Sequence, residues 1–161
     1  MSDNILFIPT GSSYNTIYFI PEGQTAQEIA NRNKWAFSEW VEFDGESYGA
    51  SYEQYANAFS ISLDSDNSKS VSFNLTKAKE IGREKVKQKT SVLQQASLNG
   101  YTTEVLAAQA TLSESSRTPS IQVVITNINN LNDSLQTQIS EIDVCTNLTE
   151  INLIVNPPTA V

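Results

Sequence analysis

Gly45-Glu46-Ser47-Tyr48-Gly49 has the G-x-S-x-G spacing that, between a strand and a helix, presents a serine nucleophile. Such a serine needs a general base, almost always an imidazole, and the chain contains no histidine. The pentapeptide also falls among short hairpins and not in a large parallel sheet, so it reads as a turn. Without histidine, the usual catalytic zinc sets are excluded as well. Asp64-x-Asp66-Asn67 opens like a calcium loop, but Lys69 stands where the glycine belongs and no glutamate closes it. Glu39, Glu42, Asp44 and Glu46 could supply a pair of glycosidase carboxylates, yet acids are common near turns and nothing singles these out. There is no G-K-S/T phosphate loop and no G-x-G-x-x-G. The expectation is a chain without catalytic activity, metal or cofactor.

Charge points to surfaces instead. Ten basic residues face 18 acidic ones, for a net charge of -8, but six of the ten fall between Lys77 and Lys89: Lys77, Lys79, Arg83, Lys85, Lys87 and Lys89. An acidic chain has little affinity for phosphate backbones, so nucleic acid is not an expected partner. Glu80 and Glu84 are interspersed in the basic stretch and reduce its field, so it reads as a helix face with internal ion pairs. Lys85, Lys87 and Lys89 are the candidate docking residues for an acidic partner or a sibling helix. Cys145 is the only cysteine, which excludes an intrachain disulfide. No apolar run approaches the ~20 residues of a membrane span, and the N-terminus lacks the pattern of a secretion signal, so a soluble protein made in the cytoplasm is expected.

The elements that must position these surfaces fall into two halves. Residues 1–75 read as a small α+β docking domain with two β-hairpins. Residues 4–8 and 16–20 are runs of β-formers flanking a Pro-Thr-Gly-Ser-Ser turn. Thr25-Ala26-Gln27-Glu28 has capping-box spacing and predicts a helix running to about Asn33. Between Trp35 and Phe43, the residues Trp35, Phe37, Val41 and Phe43 share one parity, which predicts a strand with Glu39 as a break. Trp40 lies on the other parity, as a bulged residue or as a surface aromatic reserved for a partner. Tyr48, Tyr52, Tyr55, Ala56 and Phe59 have helical spacing and read as core more readily than as a stacking platform. Residues 59–63 and 71–75 alternate about a polar loop, a second hairpin.

Residues 76–161 read as a helical domain. The basic helix starts at Asn74 or Thr76 and ends at Asn99-Gly100, a shorter alanine-rich helix follows Thr102 or Thr103, and Thr118-Pro119 restarts the chain. From there Ile121, Val124, Ile128, Leu131, Leu135 and Ile142 fall on alternating a and d heptad places over 119–142, interrupted at Gln138. This seam fits a homo-oligomeric coiled coil and, equally, an intramolecular hairpin with the basic helix. Asn147 caps a last short helix.

From Leu75 onward the order of features resembles the helical C-terminal region of small tail and tail-fibre-associated proteins of tailed bacteriophages. The resemblance rests on Asn74-Leu75-Thr76-Lys77-Ala78-Lys79-Glu80-Ile81-Gly82-Arg83, the alanine-rich segment Thr103 to Leu112, the restart Thr118-Pro119-Ser120-Ile121, and the terminal segment Thr146 to Val155 before Pro157. It departs from that pattern at Ser91-Val92-Leu93-Gln94-Gln95, where further arginines and a Leu-Asp pair are usual, and in the long Asn-rich segment Thr126 to Ile142. The resemblance implies a virion structural protein of the tail, at the baseplate or in a fibre, that docks on other tail proteins, and the heptad seam adds the expectation of a dimer or trimer. Alternatives are a fibre-assembly chaperone absent from the particle, and a carbohydrate-binding tip module using Trp35, Trp40 and the tyrosines. It transfers no functional residues one by one.

Overall fold

The computed structural model describes residues 4–158 and has an α+β fold. Strands β1 (Asn4–Phe7), β2 (Thr16–Phe19) and β3 (Trp40–Phe43) form an antiparallel sheet in the order β2-β1-β3. In register, Phe7 lies opposite Thr16 and Trp40, and Leu6 lies opposite Ile17 and Val41. Helix α1 (Ala26–Asn33) has the expected capping box, with Thr25 Oγ1 accepting from Glu28 N and Glu28 Oε2 from Thr25 N. On the α1 face of the sheet, Ile5 and Trp40 join Ala26, Ile29 and Ala30 in a buried cluster. Leu6, Val41 and Phe43, on the opposite face, are also buried.

That two-sided cover corrects the reading of 35–43. Residues Phe37–Glu39 form a 3-10 turn, and the strand starts only at Trp40. Glu39 is what makes the turn: its carboxylate accepts from Ala36 N at 2.9 Å and from Thr10 N at 2.8 Å, tying the turn to the chain leaving β1. The parity rule therefore fails at Phe37, which is 53% exposed. It fails again at Trp40, because a strand covered on both faces buries both parities.

β4 (Phe59–Leu63) and β5 (Lys69–Phe73) form the second hairpin, and period-two alternation is clean there. Phe59 pairs with Phe73 and Ile61 with Val71 on one face, while Ser60, Ser62, Ser70 and Ser72 line the solvent face. Asp64 to Ser68 is a turn: Asp66 Oδ1 accepts from Ser68 N and Asp64 Oδ2 from Ser68 Oγ, with Asn67 in the left-handed region. Phe59 and Phe73 belong to an aromatic core with Phe43, Tyr48 and Tyr52, in which Phe59 lies 5.4 Å from Phe43 and 5.0 Å from Tyr48.

Helix α2 (Leu75–Ser97) is capped by Asn74, whose Oδ1 accepts from Lys77 N at 3.0 Å. α3 (Thr103–Ala110) is capped by Thr102, α4 (Pro119–Val144) has proline as its first residue, and α5 (Leu148–Val155) is capped by Asn147. The chain divides into two compact units, one comprising the residues up to Ile81 with those from Cys145 onward, the other Gly82–Val144. The expected division at 75/76 is thus shifted, and α5 returns to the unit that contains the sheets. The reason is apolar burial: Leu148, Ile151 and Val155 are all buried, and Cys145 with them. Gly49 has no room for a side chain, since a Cβ there would come within 2.4 Å of Thr149 Oγ1.

Candidate interaction surface

The G-x-S-x-G and Asp64-x-Asp66 spacings both fall in turns. Ser47 lies in a 3-10 turn, where its hydroxyl donates to Asp44 O at 2.7 Å. The glycines of that motif serve packing. A Cβ at Gly45 would sit 2.1 Å from the Tyr52 ring, and Gly49 holds φ 125°. Among the described residues, no group of three or more acidic or cysteine side chains is placed to hold a metal, and no helix is long and apolar enough to cross a membrane.

Trp40 is corrected as a docking residue: it is 6% exposed and sealed by Lys69. The Lys69 ammonium stands 3.5 Å over the indole and 4.2 Å over the Phe37 ring, and donates to Trp40 O at 2.7 Å and Phe37 O at 3.2 Å. Burial lowers the Lys69 pKa, with Glu42 acting in the opposite direction. Lys69 lies outside the basic stretch, and nothing in its sequence neighbourhood marks it. Of the other rings of the platform reading, Tyr14 and Tyr18 are exposed, at 72% and 40%, and three are occupied. Trp35 stacks on Phe7 at 4.2 Å, and Tyr52 and Tyr55 are buried, which pushes the Tyr55 hydroxyl up to about 12. Phe19, on the edge strand, is a further exposed ring, at the rim of a groove of about 400 Å³ with Glu46, Ser51 and Glu53.

The remaining candidates lie in the helical unit, where α2 and α4 run antiparallel as a hairpin. Arg83 pairs with Asp143, Gln94 Nε2 donates to Asn132 Oδ1 at 2.6 Å, and Leu98 and Ile128 pack against the same buried cluster. Eleven residues forward on α2 from Arg83 to Gln94 match eleven back on α4 from Asp143 to Asn132. Eleven residues make about three turns, so the pairs share one face. The intramolecular alternative for the heptad seam is therefore present in the chain, and it uses the seam unevenly. Ile121 and Val124 are buried with Leu106 and Ile125 in a cluster that also takes in Leu98, Tyr101 and Ile128, and Ile142 is fully buried. Leu131 and Leu135, in the middle, are only half-buried, as is Ile139 beside them. On α2, Val86 and Thr90 are buried, Lys85 is half-buried, and Lys87 and Lys89 are exposed.

The turn into α4 depends on Arg117. Its guanidinium donates to the carbonyls of Gln109, Ala110 and Leu112 at 2.8–3.1 Å and to Gln122 Oε1 at 2.9 Å. This satisfies the orphan acceptors at the end of α3 and places a cation on the negative end of its dipole. Sequence reading passed over Arg117; its one signal is a lone arginine immediately before a Thr-Pro restart.

Val92 and Leu93 are 69% and 53% exposed on α2, and with Gln88 and Lys89 they line an open groove of about 440 Å³. The helical unit thus carries an apolar patch that no described residue covers. The chain matches no known protein family, no curated protein and no solved structure.

Proposed function

We propose that this protein is a structural component of a bacteriophage tail, at the baseplate or in a fibre, where the sheet-bearing unit docks on other tail proteins and the helical unit mediates homo-oligomerisation. The observation that carries the reading is the hairpin of α2 and α4, amphipathic but left half-covered along Leu131 and Leu135, in a chain whose C-terminal half follows the tail-protein order of features. Uncovered apolar strips of this kind on a folded unit mark association surfaces. Burial of Trp40, Tyr52 and Tyr55 takes three rings from the carbohydrate-binding alternative and leaves it Tyr14 and Tyr18.

Mass spectrometry of purified virions and of the lysate that produced them tests the proposal, with the chain expected in both. A chain abundant in the lysate but missing from the particle would replace the structural role with that of an assembly chaperone. Absence of any tail phenotype on deleting its gene would end both readings.

A further inference from the structure

Asn99-Gly100 is the one asparagine–glycine pair in the chain. It lies in the turn between α2 and α3, where both residues are exposed and both take left-handed φ values, 50° and 87°. Neither the Asn99 side-chain amide nor the Gly100 N–H has a hydrogen-bond partner among the described residues. A Cβ built on Gly100 would meet nothing within 4 Å, so the peptide between the two residues has room to swing out of the left-handed arrangement. Glycine also leaves its nitrogen open to approach, since it has no side chain of its own. An amide carbon and an unshielded backbone nitrogen thus adjoin on the surface with nothing holding them apart.

Comparable pairs elsewhere in the chain are held. At Asn67-Ser68 the Ser68 N–H donates to Asp66 Oδ1 at 2.9 Å, and serine adds a side chain. At Asp44-Gly45 the glycine is buried against the Tyr52 ring, and Asp44 Oδ1 accepts from Ser47 N. The asparagines of α4 precede Ile, Asn, Leu or Asp, and the helix engages the N–H groups that follow them.

We propose that Asn99 is a site of self-modification, at which the Gly100 nitrogen closes on the Asn99 amide and the product opens the corner between α2 and α3. The Gly100 nitrogen gives up its proton to solvent base and bonds to Asn99 Cγ. The Cγ–Nδ2 bond breaks, and Nδ2 takes up a proton and leaves as ammonia, so a five-membered succinimide remains. Water then opens the ring. Addition at Cγ breaks the new Cγ–N bond and gives aspartate. Addition at the main-chain carbonyl carbon of residue 99 breaks the original peptide bond and gives an isoaspartyl link, in which the chain runs through Cβ and Cγ. Water is the only co-reactant, and the step does not depend on the tail reading.

The isoaspartyl link adds one methylene to the main chain between Leu98 and Tyr101. Both residues pack against the buried cluster of Leu106, Ile121, Val124 and Ile125, and Tyr101 N donates to Leu98 O at 2.9 Å. The Tyr101 hydroxyl is bonded in turn to Ser120 Oγ at 2.9 Å. A lengthened chain cannot keep all of these contacts, so the corner loosens. Either product also puts a carboxylate at the negative end of the α2 dipole, where a charge of that sign is unfavourable.

The test ages the full chain for weeks in mildly alkaline buffer, beside a sample unfolded in guanidinium chloride. Trypsin then separates peptide 90–117, which holds Asn99, from peptide 35–69, which holds Asp44 and Asn67. Mass spectrometry reads the exchange of amide for acid, and enzymatic methylation of isoaspartyl carboxyls reads the rearranged link. In the folded chain, peptide 90–117 should convert roughly tenfold faster or more than peptide 35–69, because the held pairs must first open locally. That ratio should exceed the one in guanidinium chloride, where no fold protects Asn67 or Asp44. The rate should rise with pH, since the deprotonated nitrogen attacks. Asn99→Gly keeps the left-handed turn and removes the amide, so it should abolish the signal in peptide 90–117. The aged wild type should melt at a lower temperature than the fresh protein, and the aged Asn99→Gly chain should not. Equal conversion of the two peptides, a folded ratio no larger than the unfolded one, a signal that persists in Asn99→Gly, or an unchanged melt of converted wild type would each overturn the inference.

Discussion

Replacing Trp40 separates a core residue from a docking residue. The indole is 6% exposed, packs with Ile5, Ala26, Ile29 and Ala30, and lies under the Lys69 ammonium. Removing a buried tryptophan side chain costs about 3–5 kcal/mol when the site cannot collapse. Here collapse is hindered by the strand on one side and helix α1 on the other. The lost cation–π contact adds roughly 0.5–1 kcal/mol, partly offset because Lys69 regains water. Trp40→Ala should therefore lose about 3–5 kcal/mol, a large share of the ~5–15 kcal/mol of a typical domain. In urea, with a slope of about 1–3 kcal/mol per molar, the midpoint falls by at least about 1 M. Fluorescence of the remaining Trp35, in the same unit, follows that loss, while far-ultraviolet circular dichroism is dominated by the long helices α2 and α4. A fluorescence midpoint that moves ahead of the helical one would locate the damage in the sheet-bearing unit. A loss below about 1 kcal/mol, accompanied by failed assembly, would refute the packing argument and return Trp40 to the surface.

Arg117→Met should destabilise the α3–α4 corner by about 2–3 kcal/mol, since hydrogen bonds to charged groups are strong and the carbonyls of α3 lose their partner; thermal melts would show it, and Arg117→Lys should rescue little because one ammonium cannot reproduce the planar fork. Gly45→Ala should lower stability by about 1–3 kcal/mol through collision with the Tyr52 ring, while Ser47→Ala, at the serine of the same G-x-S-x-G sequence, should change the urea midpoint very little. Glu28, Glu39 and Glu150 have lowered pKa values because they accept backbone N–H groups of Thr25, Thr10 and Thr146 respectively. Their contribution is complete above the unfolded carboxylate pKa of about 4.3 and is lost as pH falls through the lower folded values. Urea midpoints should decline in that acidic window, and the triple glutamine variant should flatten the decline.

Local chemistry made much of the fold legible. The capping box at Thr25 and Glu28, the proline start of α4, the caps at Asn74, Thr102 and Asn147, and the turn at Asn99-Gly100 each depend on residues within a turn of one another. The alternation of β4 and β5 was legible because one face of that hairpin is wet. At 35–43 the same reasoning failed. A 3-10 turn closed by the Glu39 carboxylate interrupts the expected strand, and cover on both faces removes the polar–apolar alternation from the part that remains.

The sequence by itself determined that the chain is α+β, where its helices begin, that imidazole chemistry is unavailable to it, and that a heptad seam runs through 119–142. These follow from composition and from short-range backbone preferences. Only tertiary structure decided that Trp40 is core, that Lys69 and not the basic stretch meets its ring, and that α5 belongs with the sheets. It also decided how the seam is spent: Ile121, Val124 and Ile142 are buried within the chain, while Leu131 and Leu135 stay half-covered. Heptad spacing records that a face is apolar, but which helix covers it depends on residues dozens of positions away, such as Asp143 opposite Arg83 and Asn132 opposite Gln94.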